Sequence, residues 1–255
     1  MTRGFIYGLD YIPRRRSIRQ YNDKPVTEEL IEELVDFLSQ LEPPQGGIDW
    51  NFDTLPYTDM VSIAAIEPGV KAPYYLVLRA ERKNFSLQNS GYIGEMAALW
   101  LCSKGLGSCW LGSIRVTADF PDTLPYVASV AFGYADEPWR TDLDGIRRKP
   151  LNRMTIGDFS GPKGEIAEAV RLAPSSVNSQ PVFLLSRGNK IHIFRKYVPF
   201  KIPVLSYMQC IDTGVAMAHI HVAGSKYYNV VFGQQIPEPQ WGKKIYQSTA
   251  SLEDK

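Results

Sequence analysis

The segment Asn89 to Lys104 (NSGYIGEMAALWLCSK) constrains the fold most. It reads as a helix that is apolar over most of its surface, and such a helix has to be buried. Gly105 and Gly107 end it. A second helix, Leu205 to Ala223, carries Ile211, Val215, Ala218 and Val222 on one face. The order helix, proline break, strand, apolar helix occurs twice along the chain, which points to duplication.

In the first half, Thr27 to Leu41 reads as an amphipathic helix with Thr27 as N-cap. Glu28 and Glu29 suit its positive start, and Leu30, Leu34, Leu38 and Leu41 form one stripe. Glu42-Pro43-Pro44 stops it, and a long Pro- and Gly-containing passage follows. Ala72 to Arg79 and Val127 to Tyr134 read as strands. A polar stretch from Ala135 to Lys163 places the internal boundary near Gly157 to Lys163. Then the pattern restarts. Glu165 to Leu172 is a short helix stopped by Ala173-Pro174. Val182 to Ser186 and Lys190 to Arg195 are strands joined by a turn at Gly188-Asn189, and Asn229 to Phe232 is the last strand. The tail from residue 236 to 255 is polar and irregular, and is expected to wrap or fray. Residues Leu41 to Phe52 can be laid without gaps over Leu172 to Phe183, with the Leu, the first Pro and the Phe coinciding.

Composition narrows the function classes. The 255 residues amount to one large domain or two small ones, and 44% hydrophobic with 22% charged suits a globular chain with a real core. Lys plus Arg is 28 against 27 Asp plus Glu, a net charge of +1. That argues against a bulk electrostatic grip on nucleic acid or an anionic membrane, so any anion site is local. No run approaches the roughly 18 apolar residues of a membrane span, and the N-terminus does not read as a signal peptide. Three cysteines without paired spacing indicate a reduced, cytoplasmic protein, and three histidines make no metal cluster.

Four segments are candidates for chemistry. Arg14 to Arg19 (RRRSIR) sets four cations and a hydroxyl in six residues, suited to phosphate oxygens, though such a run can also be a solvated basic terminus. Ala173 to Pro181 (APSSVNSQP) is a polar loop that could match the edge of a heteroaromatic ring, or simply connect its neighbours. Gly105 to Gly112 (GLGSCWLG) lets backbone N–H groups approach a ligand, or is a helix stop followed by a turn; it is neither a dinucleotide fingerprint nor a P-loop. Gly145 to Leu151 (GIRRKPL) is a second cationic cluster or an exposed charged loop.

Together and in this order, these segments resemble the FMN-dependent nitroreductase family. Its RRSxR motif corresponds to Arg15 to Arg19, followed by Pro25-Val26-Thr27 at a helix start. Its apolar helix and glycine-rich turn correspond to Ala97 to Gly112, and its late elements to Gly133-Tyr134 and Arg148 to Leu151. Its APSxxNxQPW motif corresponds to Ala173 to Pro181, with Val182 in place of the Trp. The order departs from ordinary members, in which the APS motif follows RRSxR within about one helix. Here the expected place, Pro43 to Asp49, has Pro44 and Gln45 for the serines and Gly47 for the asparagine. This looks like the subgroup in which two half-sized units are fused in one chain.

The resemblance implies an α+β fold of duplicated α/β units, with mainly antiparallel sheets and a central apolar helix in each. The units would span 1–157 and 158–255 and pack as a pseudo-dimer, the chain being a monomer that mimics the family's homodimer. It implies FMN as cofactor, with Arg15, Arg16, Ser17, Arg147 and Arg148 on the phosphate. Arg19 would lie near the flavin N1/O2 edge, and the backbone of Leu111 and Gly112 would face N5. Pro174, Ser175, Ser176 and Asn178 would close over the ring from the second unit. One complete site per chain is expected, with Arg19 and Gly112 nearest the chemistry. The implied activity is NAD(P)H-driven, ping-pong reduction of a nitroaromatic, quinone or similar small acceptor. Two alternatives stay open: flavin or small-molecule binding without turnover, and another chemistry of the superfamily such as dehalogenation or flavin breakdown. The latter needs a lid, for which the passage Gly46 to Lys71 has the length.

Overall fold

Thr27 has extended backbone dihedrals, and its Oγ1 accepts the Leu30 N–H at 3.4 Å, so the first helix, α1 (Glu28–Ser39), starts where its capping chemistry lies. Leu34, Leu38 and Leu41 are buried, while Leu30 is only half-buried. The computed structural model describes residues 6–57, 70–112, 120–199, 202–237 and 241–255. The residues 58–69 of the expected lid passage lie outside the described residues.

The two apolar helices are α2 (Ser86–Ser103) and α4 (Pro203–Gly224), and they pack against each other at the centre. Their crossing is set by two glycines. A Cβ on Gly91 would stand 2.1 Å from the Ile211 carbonyl oxygen, and one on Gly214 would stand 1.9 Å from that of Gln88. Only hydrogen fits in either place, so the two backbones touch.

Each central helix carries its own sheet. In the first half β1 (Trp50–Pro56), β2 (Tyr74–Ala80), β3 (Gly107–Leu111) and β4 (Tyr126–Gly133) form an antiparallel sheet of order β1-β2-β4-β3. In the second half β5 (Thr155–Ile156), α3 (Pro162–Leu172), β6 (Val182–Arg187), β7 (Lys190–Arg195), β8 (Asn229–Gly233) and β9 (Ile245–Glu253) give the sheet order β5-β6-β7-β9-β8. Apart from the short parallel β5, this is the same order of hairpin, last strand and edge strand. The fold is therefore α+β with mainly antiparallel sheets. One apolar core runs through both halves, from Leu34 and Leu99 to Ile166, Ala218 and Leu252. Among the described residues no helix is long and apolar enough to cross a membrane.

Three expectations are corrected. From Ile245 on the tail is not irregular: β9 lies between β7 and β8, with Ser248, Thr249 and Ala250 buried, so Asn229 to Phe232 is not the last strand. The glycine-rich segment after α2 is not only a stop and turn, because Gly107 to Leu111 form a strand. The passage after α1 contains β1, an edge strand that among the described residues pairs with β2 alone.

The new strand β3 also positions the first basic motif. Ser17 pairs with Ser108 in parallel, and the Ile18 N–H donates to the Ser108 carbonyl at 2.9 Å. Gly107 makes room for this, since a Cβ there would stand 2.8 Å from the Ile18 side chain.

Candidate functional site

Adjacent arginines of the first motif go to different places. Arg15 turns into the protein and is 3% exposed. Its Nε lies 3.5 Å from Glu95 Oε1, and among the described residues neither Nε nor Nη1 has a hydrogen-bond partner. Arg16 stays half-buried, with Nη2 donating to Glu137 Oε2 at 2.6 Å and Nη1 to the Pro138 carbonyl at 3.1 Å. Glu137 also accepts the backbone N–H of Arg19 at 3.1 Å, which fixes the end of the motif against the segment linking the two halves.

That linking segment then docks on the polar loop of the second half. Arg148 Nη1 donates to Asn178 Oδ1 at 2.9 Å and Nη2 to the Leu172 carbonyl at 3.2 Å, a cation at the negative end of α3. Asn178 Nδ2 donates back to the Arg147 carbonyl at 3.1 Å. The Lys149 N–H donates to Gln180 Oε1, and its Nζ to the Gln180 carbonyl, both at 2.6 Å. Held this way, the loop keeps Val177, Asn178 and Gln180 at positive φ (48°, 54° and 47°). A left-handed β-branched valine is strained, and the surroundings must over-determine it.

The loop's other anchor is Asp212 on α4. Its Oδ1 accepts the Ser176 N–H at 2.8 Å and the Ser176 Oγ–H at 3.1 Å. Burial pushes the Asp212 carboxyl up to about 6, and the bonds from Ser176 work against that.

Arg16, Arg140, Arg147, Arg148 and Asn178 line a polar cleft of about 420 Å³, with Asp142 and Asp144 on its wall. The guanidinium groups crowd one another. Burial lowers the Arg148 pKa to about 10, and Arg15, Arg140 and Arg171 press it the same way. Arg140 is lowered by burial and then by Arg15 and Arg16. Such a cleft favours an anion.

The expected site residues thus fall into three groups. Arg16, Arg147, Arg148 and Asn178 share the cleft, with Arg15 buried near enough to act on Arg148. Pro174 and Ser175 line a small cavity beneath the loop together with Asp212, and Ser176 is held by that aspartate. Ser17, Leu111 and Gly112 lie along and after β3, and Arg19 is exposed; none of these lines the cleft. A Cβ on Gly112 would stand 3.7 Å from Met208 Cε, so the end of β3 faces α4 of the other half.

Three residues of this region escaped the motif reading: Arg140, Asp212 and Glu95. The two acids had a signal, since each is a lone carboxylate in an apolar helix. Glu95 is fully buried. Its Oε2 accepts Trp110 Nε1–H at 2.8 Å, and its Oε1 lies 3.0 Å from His219 Nε2. His219 Nδ1 faces the Ala169 carbonyl at 2.8 Å and must carry a proton, because a carbonyl only accepts. This network ties Arg15 to β3, α3 and both central helices.

The first half has a counterpart of the Asp212 anchor. Asn89 Oδ1 accepts the Gln45 N–H at 3.1 Å, and its Nδ2 donates to the Gln45 carbonyl at 2.7 Å. In the gapless overlay of the two loops Gln45 falls on Ser176. A cleft of about 460 Å³ stands beside it, lined by Gln45, Ile48, Lys83, Phe85 and Gln234. Lys83 is its one cationic lining residue among those described, and it is already held by Glu81 at 2.6 Å and the Gly47 carbonyl at 3.2 Å.

Residues 9–224 match the protein family described as "Putative TM nitroreductase". A solved structure described as a "putative nitroreductase" from Thermotoga maritima is 22% identical, with a TM-score of 0.64, covering 96% of this chain and 93% of that one. At that identity the likeness shows a shared fold. An FMN-dependent nitroreductase from Clostridium difficile is 18% identical over 55% of this chain and 98% of its own, with a TM-score of 0.44. A nitroreductase with bound FMN from Desulfitobacterium hafniense is 19% identical over 56% and 98%, with a TM-score of 0.43. No curated protein matches the sequence.

Proposed function

The chain belongs to the TM nitroreductase family, and from that premise we propose that it is an FMN-dependent oxidoreductase. It draws reducing equivalents from NAD(P)H and passes them, in ping-pong order, to a nitroaromatic, quinone or similar small acceptor. We place it in the cytoplasm, as a monomer in which units 1–157 and 158–255 stand in for two subunits.

One observation carries the reading. Segments more than a hundred residues apart, the basic motif and the polar loop, meet through the basic linking segment, with Arg148 on Asn178 and Arg16 on Glu137 and Pro138. The residues fit the group. Arg15 Nε and Nη1 and Arg148 Nε are buried donors without a hydrogen-bond acceptor among the described residues, beside a cleft rich in guanidinium. Phosphate oxygens are the acceptors such forks suit.

Arg15, Arg16, Ser17, Arg147 and Arg148 would hold the phosphate. Pro174, Ser175, Ser176 and Asn178 would cover the ring and ribityl chain, and their backbone is already set by Asp212 and Lys149. Leu111 at the end of β3 and Gly112 after it would present backbone to the ring, and Arg19 would supply a cation that stabilises negative charge on it. FMN, when bound, supplies the hydride chemistry, so no side-chain general base is required.

The test is a flavin titration followed by turnover. One FMN per chain and NAD(P)H oxidation by the loaded protein are expected. Two FMN per chain refute the single-site reading, binding without oxidation leaves a flavin-binding protein, and absence of FMN binding overturns the function.

A further inference from the structure

Arg140 belongs to none of the motifs, yet it lines the cleft together with Arg16 and Arg148. It comes from the segment that joins the halves, roughly residues 135–150. That segment is more than a tether. Glu137 and the Pro138 carbonyl hold Arg16, and Arg148 reaches Asn178 and the end of α3. Arg140 Nη1 donates to the Pro13 carbonyl at 3.3 Å, just ahead of the basic motif.

The charge on Arg140 is poorly compensated. No carboxylate pairs with it among the described residues, whereas Arg15 has Glu95 and Arg16 has Glu137. Burial and the two neighbouring arginines all oppose its charge. Asp142 and Asp144 line the same cleft but make no ion pair with Arg140 among the described residues, and Asp142 accepts the Asp144 N–H at 3.0 Å and the Thr141 hydroxyl at 3.3 Å. A half-buried guanidinium kept beside like charge is relieved by an anion that several forks share.

We infer that Arg140 is a further phosphate-binding residue, by which the linking segment itself completes the anion site and selects a phosphorylated ligand over its dephosphorylated form. The identity of that ligand as FMN rests on the proposed function; the phosphate chemistry is tested separately. The competing explanation is a strut that only holds the Pro13 carbonyl. A strut would serve riboflavin and FMN equally, and a phosphate ligand would not.

The experiment measures FMN and riboflavin affinity by fluorescence for the full chain and for Arg140→Ala and Arg140→Lys, each checked by thermal melting. Arg140→Ala should weaken FMN by about ten- to a hundredfold, the range for a charge-assisted bond. It should leave riboflavin unchanged, and Arg140→Lys should recover part of the loss. Unchanged FMN affinity, or equal loss for both flavins, overturns the inference and leaves the flavin reading standing. If the unmodified chain binds neither flavin, that reading falls, and calorimetric titration with inorganic phosphate decides. Phosphate bound by the unmodified chain and lost in Arg140→Ala supports the residue, and any other result overturns it.

Discussion

Asp212 shows how much one buried carboxylate can organise. Replacing it with alanine leaves the Ser176 N–H and hydroxyl without their acceptor, which should cost about 1–3 kcal/mol in urea unfolding. Asparagine should do better, because Asn89 already holds Gln45 in the equivalent way. The pH dependence has a definite sign. The folded pKa of about 6 lies above the ordinary 3.8, so the folded state holds the extra proton. The stability this contributes is complete below pH 3.8 and lost as the pH rises through 6. Between pH 4 and 7 the unmodified chain should lose on the order of 3 kcal/mol relative to Asp212→Asn, read as the difference between their unfolding curves at the two pH values. An equal pH response in both would contradict this. Arg15, Arg16, Arg148, Ser176 and Asn178 were readable in the sequence because they lie in contiguous motifs. Arg140 was not, since in a polar stretch a guanidinium in a cleft reads like one in water. Glu95 and Asp212 were visible only as single charges in apolar helices.

At the scale of elements, the crossing of α2 and α4 is the tightest constraint. Gly214→Ala puts a methyl against the Gln88 carbonyl and the Tyr92 nitrogen of the facing helix, with no flexible side chain to yield. We expect a loss of about 3 kcal/mol or more by urea denaturation, whereas Gly46→Ala, with open space around it, should change little. Elements with strong local patterns were readable: α1 by its stripe and cap, α2 and α4 by their apolarity, and the β6–β7 hairpin by its turn at Gly188-Asn189. The missed strands lack such patterns. β1 is half-buried almost throughout, and β3 starts at a glycine straight after a helix. β9 buries Gln247, Ser248 and Thr249, which read as surface residues. Their burial is satisfied only in the folded sheet, where Thr249 Oγ1 donates to the Gln235 carbonyl and meets His192 Nδ1 at 2.8 Å.

For the whole molecule, the order helix, proline break, strand and apolar helix is readable twice in the sequence, whereas the shared strand order of the two sheets is seen only in the fold. The units proposed at 1–157 and 158–255 share one core and one helix crossing rather than a wet interface. Calorimetry should therefore give a single cooperative transition with equal calorimetric and van't Hoff enthalpies; two resolved transitions would contradict a shared core. The covalent link between the crossing helices has a further effect. Two separate chains that meet through α2 and α4 would come apart on dilution, whereas here the second helix is always present at the effective concentration its tether sets. A symmetric pair also makes every substitution twice, once in each cleft. In this chain a change at Pro43 to Gly47 touches one side only, so one loop can drift while the other keeps its sequence.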